Sequence, residues 1–221
     1  MSPLESIFKN FLEPFAYFIF GIIFFLKSKR DGLLENRVLF ANYVIGTILL
    51  VFASLLVLYP REDMDNDWMY NAVYFINICI LSWYFYRILQ AALKKLIVLA
   101  FLAINAAVFL IYELMLHHFI SSYNGYVYAI CCISIVVYSF MYFNQLLSNV
   151  TEKSILRDFN FWLVSGYLLY FLGSFIILLL YRTVDIDDSG NVWAIQNIIL
   201  FLSALITLVG YFQTSSSRQY F

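Results

Sequence analysis

The sequence predicts an all-α integral membrane protein, folded as a single domain of seven transmembrane helices over residues 1–221. Hydrophobic residues make up 63% of the chain and charged residues only 12%, and the mean hydropathy is +0.83. An ordinary soluble domain is roughly half apolar and a quarter charged. Seven apolar stretches also match the ~20 residues that a helix needs to cross the hydrocarbon core of a bilayer. The short segments between them leave no room for a soluble catalytic or DNA-binding domain.

The predicted spans follow from that length criterion. They cover approximately residues 8–26, 38–59, 70–91, 96–116, 126–147, 159–181 and 192–213. The start of the first span is open, because Glu5, Lys9 and Glu13 form a separate stripe at helical spacing beside the apolar residues. Its first turns are therefore also compatible with a position along the membrane interface.

Lys and Arg are distributed unevenly over the two sides of the predicted bundle, and this bias sets the orientation of membrane proteins. One side has Lys9, Arg61 and Arg182. The other side has the ten remaining basic residues, Lys27, Lys29, Arg30, Arg37, Arg87, Lys94, Lys95, Lys153, Arg157 and Arg218. This distribution predicts an outside N-terminus and a cytoplasmic C-terminus, in a multi-pass protein of the bacterial inner (cytoplasmic) membrane.

Small or polar residues at helical spacing mark the helix faces that avoid lipid. Such faces are predicted in the third to seventh spans. They comprise Tyr70, Tyr74, Asn77, Leu81 and Tyr84; Ala103, Ala106, Leu110, Glu113 and His117; Tyr128, Cys131, Ile135, Tyr138, Tyr142 and Gln145; Gly166 and Gly173; and Gln196, Ser203, Thr207 and Gly210. We expect these faces to form the interior of the bundle.

The stretch VFLIYELMLHHF, residues 108–119, places a carboxylate inside an apolar span. With the N-terminus outside, this Glu113 falls in the outer third of its helix, at a depth similar to that of other predicted inward-facing polar residues. We therefore predict an outward-opening polar cavity formed by Glu113, Asn77, Gln196, Asn197, His117 and Tyr74. The alternative is that these side chains only hold helices together through interhelical hydrogen bonds.

The sequence lacks the residues that several kinds of binding and catalysis require. The net charge of −1 gives no basic face for nucleic acid. His117 follows Glu113 at a metal-ligand spacing, but with two histidines in the chain a third ligand would have to come from Cys131 or a loop carboxylate. The hydrolase and nucleotide motifs G-x-S-x-G, H-E-x-x-H and Walker A do not occur, and the seventh span has no lysine for a retinal Schiff base. We expect no enzymatic activity, no cofactor and no metal.

Residues 159–181 and 192–199 resemble the last two spans of small bacterial seven-helix modules, which occur alone or as the membrane input part of sensor histidine kinases. The resemblance rests on aromatic, glycine and polar positions, namely Phe161, Trp162, Gly166, Tyr170, Gly173, Ser174, Trp193, Gln196 and Asn197. It covers about a fifth of the chain, and no kinase follows the seventh span. It implies a seven-helix fold and a sensory role, with no catalytic residues.

These observations predict a non-enzymatic signal-input module that lies in the lipid bilayer and acts through a separate membrane or cytoplasmic protein. Two other functions remain open at this stage. The chain could be an accessory or structural subunit of a larger membrane complex, or a small-solute transporter. Against transport, the three prolines, Pro3, Pro14 and Pro60, leave spans two to seven without the breaks that transporters use to expose backbone to a substrate.

Overall fold

The fold is known from a computed structural model that describes residues 3–58, 67–111, 125–148, 155–181 and 189–216. Side chains are described for residues 11–56, 68–111, 127–148, 155–178 and 194–214. Seven α-helices follow one another along these segments, and a short 3₁₀ helix, Ile155–Arg157, precedes the sixth. The helices are α1 Pro3–Asp31, α2 Leu34–Leu58, α3 Asp67–Ile88, α4 Ala92–Phe109, α5 Gly125–Ser148, α6 Phe159–Tyr181 and α7 Ser189–Ser216.

This architecture confirms that the fold is an all-α bundle with membrane-spanning helices. Six helices are long and apolar enough to cross a membrane: α1, α2, α4, α5, α6 and α7. The exception is α3, whose 22 residues include four tyrosines, two tryptophans and two asparagines. α3 also begins and ends three residues before the predicted span. α4 gives way to a π-helical turn at Leu110 and Ile111, and the predicted end of its span at residue 116 lies outside the described residues.

The helices form a closed ring in chain order. Each helix packs against the next one along the chain, and α7 returns to pack against α1. In addition, α3 and α5 contact each other directly, so α4 lies at the periphery of the ring. Of the residues in α4, only Val98, Asn105 and Phe109 are buried.

Burial confirms the predicted interior faces of three helices. The stripes that include Asn77 in α3, Tyr138 in α5 and Ser203 in α7 all point into the bundle. The predicted face of α4 was wrong, because Ala103 and Leu110 are exposed. The face of α4 that packs against α3 and α5 contains Val98, Asn105 and Phe109 instead.

Basic and acidic side chains tie neighbouring helices together at one end of the bundle. Arg87 of α3 donates a hydrogen bond from Nε to Glu35 of α2 over 2.9 Å. Lys94 of α4 donates from Nζ to the Met141 carbonyl of α5 over 3.0 Å. The Arg30 guanidinium of α1 lies 5.2 Å from the ring centre of Tyr211 in α7. Arg30, Arg87 and Lys94, three described residues of the predicted basic side, therefore lie at one end of the folded bundle.

Helices α6 and α7 approach each other closely at two glycines. A Cβ placed on Gly210 of α7 would lie 2.2 Å from the Trp162 Cβ of α6. A Cβ on Gly166 of α6 would lie 2.9 Å from the Ser203 carbonyl oxygen of α7. By contrast, a Cβ on Gly21 of α1 would meet nothing closer than Tyr43 at 3.9 Å. The α6 and α7 interface thus requires residues without a Cβ at Gly166 and Gly210.

We predict that Gly210→Ala lowers the free energy of unfolding by roughly 1–3 kcal/mol, the usual range for an overpacked interior. The added methyl group meets the first carbon of the Trp162 side chain, which cannot move without shifting the backbone of α6. Denaturant titration of the purified protein in detergent measures the change. Gly21→Ala is the matched control, with an expected effect near zero. Equal stability of the two variants would contradict the close approach of α6 and α7.

Candidate functional site: a polar column inside the bundle

The structure describes four of the six residues predicted to line an outer cavity. Tyr74, Asn77, Gln196 and Asn197 are all buried. Glu113 and His117 lie outside the described residues. Asn77 is the eleventh of 22 residues in α3, so it lies nearer the middle of the bundle than the predicted outer third. Two of the described residues, Asn77 and Gln196, belong to the interior polar groups.

Asn77 is the centre of a junction between three helices. Its side-chain Nδ2 donates a hydrogen bond to the Tyr17 hydroxyl of α1. Its Oδ1 accepts a 2.7 Å bond from Nδ2 of Asn42 in α2. One amide side chain thus holds α1, α2 and α3 together through both of its polar atoms.

Tyrosine hydroxyls pair at two further positions. Tyr43 of α2 donates to the Tyr167 hydroxyl of α6 over 2.8 Å. Tyr128 of α5 donates to the Tyr170 hydroxyl, also over 2.8 Å, and the Gln196 side chain of α7 hydrogen-bonds with Tyr170 as well. A hydroxyl group both donates and accepts, so paired tyrosines can satisfy each other in a low-dielectric interior.

A third group lies at the basic end of the bundle. The Tyr84 hydroxyl of α3 donates to Oδ1 of Asn160 in α6 over 2.8 Å. The backbone N–H of Asn160 in turn donates to Oδ1 of Asp158 over 2.9 Å, and the Tyr142 hydroxyl of α5 donates to the other Asp158 oxygen over 2.7 Å. Asp158 therefore connects α5 to the start of α6 and, through Asn160, to α3.

A buried carboxyl group lies in α1, 14 residues before Lys27 at the basic end. Glu13 of α1 is only 6% exposed, and its Oε1 has no hydrogen-bond partner. Its charge would act on the hydroxyls of Tyr17, one turn along the same helix, and Tyr170 of α6. No basic side chain among the described residues compensates it. Burying an uncompensated carboxylate is costly, so this position is unusual for packing alone.

These groups form what we call the polar column. It comprises Glu13, Tyr17, Asn42, Asn77, Tyr43, Tyr167, Tyr128, Tyr170, Gln196, Tyr84, Asn160, Tyr142 and Asp158. The column contains residues of α1, α2, α3, α5, α6 and α7, together with Asp158 at the start of α6. α4 contributes to a separate polar contact, in which Asn105 donates to the Ser134 hydroxyl of α5 over 2.8 Å.

Small cavities lie beside the column. One of about 20 Å³ is lined by Tyr17, Tyr43, Asn77, Tyr167 and Tyr170, among others. A second, of about 10 Å³, adjoins Tyr74 and Tyr128, and a third, of about 20 Å³, lies between α3, α4 and α5. A water molecule needs roughly 10–15 Å³ of such space. Each of the larger cavities therefore has room for about one water molecule.

The sequence predicted only part of this site. It placed Tyr74, Asn77, Gln196 and the tyrosines of α3 and α5 on interior faces, and burial confirms this. It missed Tyr17, Asn42, Tyr43 and Tyr167. Their adjacency was not visible because Tyr17 is one of eight aromatic residues in α1, and nothing in the sequence of α2 marks Asn42 and Tyr43 as neighbours of other helices. The one signal was the spacing of Glu13 and Tyr17, which puts both on the same face of α1.

Within the described segments, no three His, Cys, Asp or Glu side chains come together to hold a metal ion. Cys131 and Cys132 are buried in α5, and Cys79 is half-buried in α3. Comparison of the chain with protein-family models, curated proteins and solved structures gave no match. The features that bear on function are therefore the column and the distribution of charge.

We predict that Asn77→Leu destabilises the protein by about 1–3 kcal/mol, because it leaves the Asn42 amide and the Tyr17 hydroxyl without their shared partner. The free energy of unfolding in detergent is the measurement. Asn144→Leu makes the same substitution at an exposed position of α5 and should change it by less than about 0.5 kcal/mol. A silent Asn77→Leu would show that the three-helix junction adds nothing to stability.

Proposed function

We propose that this chain is a seven-span protein of the bacterial inner membrane that receives a signal in its helical bundle and passes it to a separate protein. The observation that carries the proposal is the polar column. Its hydrogen bonds join six helices, so a shift of one helix breaks or exchanges bonds to the others. Interiors of this kind have discrete arrangements and suit switching by helix shifts of one or two ångströms.

The proposal includes α3 as a membrane-crossing helix. α3 packs between α2 and α4 in the ring, and its polar side chains, Asn77 and Tyr84 among them, are bonded to other helices. A helix that faces protein on most sides does not need the apolar composition of one that faces lipid. These contacts favour seven crossings, and an odd number leaves the two termini on opposite sides.

The orientation follows from the end that contains Lys27, Arg30, Arg87 and Lys94. Basic residues accumulate on the cytoplasmic side of bacterial membrane proteins. We therefore place this end in the cytoplasm and the end with Glu13 outside. The resemblance of α6 and the start of α7 to the membrane modules of sensor kinases supports the same sensory assignment.

An accessory role in a larger membrane complex is the second candidate. It is favoured by α4, which is joined to the ring at few buried positions and exposes Leu93, Leu96 and Ile104. A transporter for organic solutes is less well supported, because the cavities found among the described residues hold about one water molecule each.

For the topology, we predict that a reporter fused after Phe221 is active in the cytoplasm. Single cysteines at Asp65 and Asp187 should react with a membrane-impermeant thiol reagent in intact cells, in a protein whose three native cysteines are replaced by alanine. A cysteine at Lys153 should react only after permeabilisation. The reverse labelling pattern would overturn the orientation.

The function itself is tested by purifying the protein from its native membranes in mild detergent and identifying what remains bound. If the protein is a signal-input module, a kinase or regulator should copurify with it in near-stoichiometric amount. Tyr43→Phe, which removes one hydroxyl of the column, should change the output of that partner, while Tyr138→Phe, a hydroxyl outside the column, should not. Recovery of the subunits of a larger assembly would support the accessory role instead, and isolation of the protein alone would contradict both.

A further inference from the structure

We infer that the end of the α1–α2 hairpin binds an anionic phospholipid. The site consists of two basic side chains, Lys29 of α1 and Arg37 of α2, and of two aromatic rings beneath them, Phe25 and Phe40. We call these four residues the hairpin site. The phosphate of the lipid would lie between the two basic groups, and its acyl chains would lie against the rings.

The contact between Phe25 and Phe40 shows which sides of the two helices meet here, because their ring centres are 5.4 Å apart. Lys29 follows Phe25 by four residues, so it lies on the same side of α1, about 6 Å nearer the end of the bundle. Arg37 precedes Phe40 by three residues, so it lies on the same side of α2, about 4.5 Å nearer that end. The two basic residues are therefore at nearly the same level, on one side of the hairpin.

A short connection fixes the ends of the two helices relative to each other. α1 ends at Asp31 and α2 begins at Leu34, so only two residues join them. One of these is Gly32, which has a φ of 66° and donates its N–H to the Ser28 carbonyl over 2.9 Å. Glycine adopts this left-handed conformation at little cost and often ends a helix in this way. The turn therefore holds Lys29 beside the start of α2.

The two basic side chains of the hairpin site have no ion-pair partner among the residues that the structure describes. The carboxylates nearest in sequence, Asp31 and Glu35, are bonded to other basic residues. Lys29 and Arg37 are both exposed, and the Lys29 Nζ lies 5.7 Å from the ring centre of Phe25. The Lys29 stem thus runs along an apolar ring while its charge points to the membrane surface. Two uncompensated charges at this level attract an anionic headgroup.

The exposed apolar surface beneath the charges favours a lipid over a free anion. Phe25 and Leu26 are 42% and 40% exposed, and both helices are apolar and long enough to cross a membrane. Acyl chains gain from contact with these side chains, whereas a soluble phosphate does not. A zwitterionic choline headgroup carries its own positive charge and so competes poorly for two cations. The partner that fits is a phospholipid with a net negative headgroup.

This inference does not depend on the proposed signalling role or on the orientation of the bundle. A protein that copurifies with a regulator but does not distinguish anionic from zwitterionic lipid would retain the first proposal and lose this one. A protein that selects the anionic lipid at the hairpin would retain this one whatever its partner.

The test is native mass spectrometry of the full-length protein in detergent, titrated with phosphatidylglycerol or with phosphatidylcholine of the same acyl chains. The first phosphatidylglycerol molecule should bind about 20-fold more tightly, because each basic side chain near the headgroup contributes roughly fivefold. Lys29→Gln and Arg37→Gln should each lower this affinity by about fivefold and leave that for phosphatidylcholine unchanged. The double variant should show no preference. Equal affinities of the wild type for the two lipids would overturn the inference.

Lys95→Gln is the matched control. Lys95 lies in α4, away from the hairpin, and its Nζ is 5.2 Å from the ring centre of Tyr86, so the variant loses the same charge and a similar ring contact. Its affinity for phosphatidylglycerol should equal that of the wild type. Circular dichroism establishes that each variant is folded, which is expected because Lys29 and Arg37 are exposed.

A second arm separates the lipid from its soluble headgroup. Glycerol phosphate in millimolar excess should not displace the bound phosphatidylglycerol, because it lacks the acyl chains that contact the rings. Displacement by glycerol phosphate would overturn the lipid assignment. So would unchanged affinities in both Lys29→Gln and Arg37→Gln, or an equal loss in Lys95→Gln.

Discussion

The hydrogen bonds of Asn77 to Tyr17 and Asn42 illustrate the constraint on which the rest of this structure depends. Hydrocarbon offers no donors or acceptors, so each polar side chain in a membrane-spanning helix is most stable when it finds a partner on another helix. That requirement determines which faces of α1, α2 and α3 meet. The aromatic packing around them, such as Phe20 stacked on Tyr43 at 4.7 Å, then fills the space between bonded positions.

The same constraint explains which helices lie at the centre of the bundle and which lie at its periphery. α3 and α5 have polar groups along most of their length, and they contact each other directly inside the ring. α4 has one buried polar residue, Asn105, and it covers the α3 and α5 junction from outside. The ring closes between α1 and α7, where Phe15 stacks on Phe201 and Arg30 lies over Tyr211. Polar content and central position therefore go together in this bundle.

The column also connects stability with function. Interhelical hydrogen bonds in membrane proteins contribute about 0.6 kcal/mol each on average, which is small enough for individual bonds to exchange. A network of such bonds can hold a unique arrangement and still permit helix shifts or the rotation of hydroxyl groups. Glu13 stands apart from this account, because its Oε1 contributes no hydrogen bond and its burial costs free energy.

The sequence by itself determined that the chain is helical and has seven helical segments, and it predicted that ten of its thirteen basic residues lie on one side. Length, apolar composition and the spacing of Lys and Arg are local properties of the sequence. They do not depend on how the helices pack. It also predicted the interior faces of α3, α5 and α7, because small and polar residues recur there with the helical period. It could not predict that Tyr43 meets Tyr167, 124 residues away, since many aromatic residues could have paired. Nor could it predict that α4 turns Asn105 inward and Ala103 outward. Those outcomes depend on which helices become neighbours in the ring, and only the tertiary structure decided that, because each polar group had to find a partner on another helix.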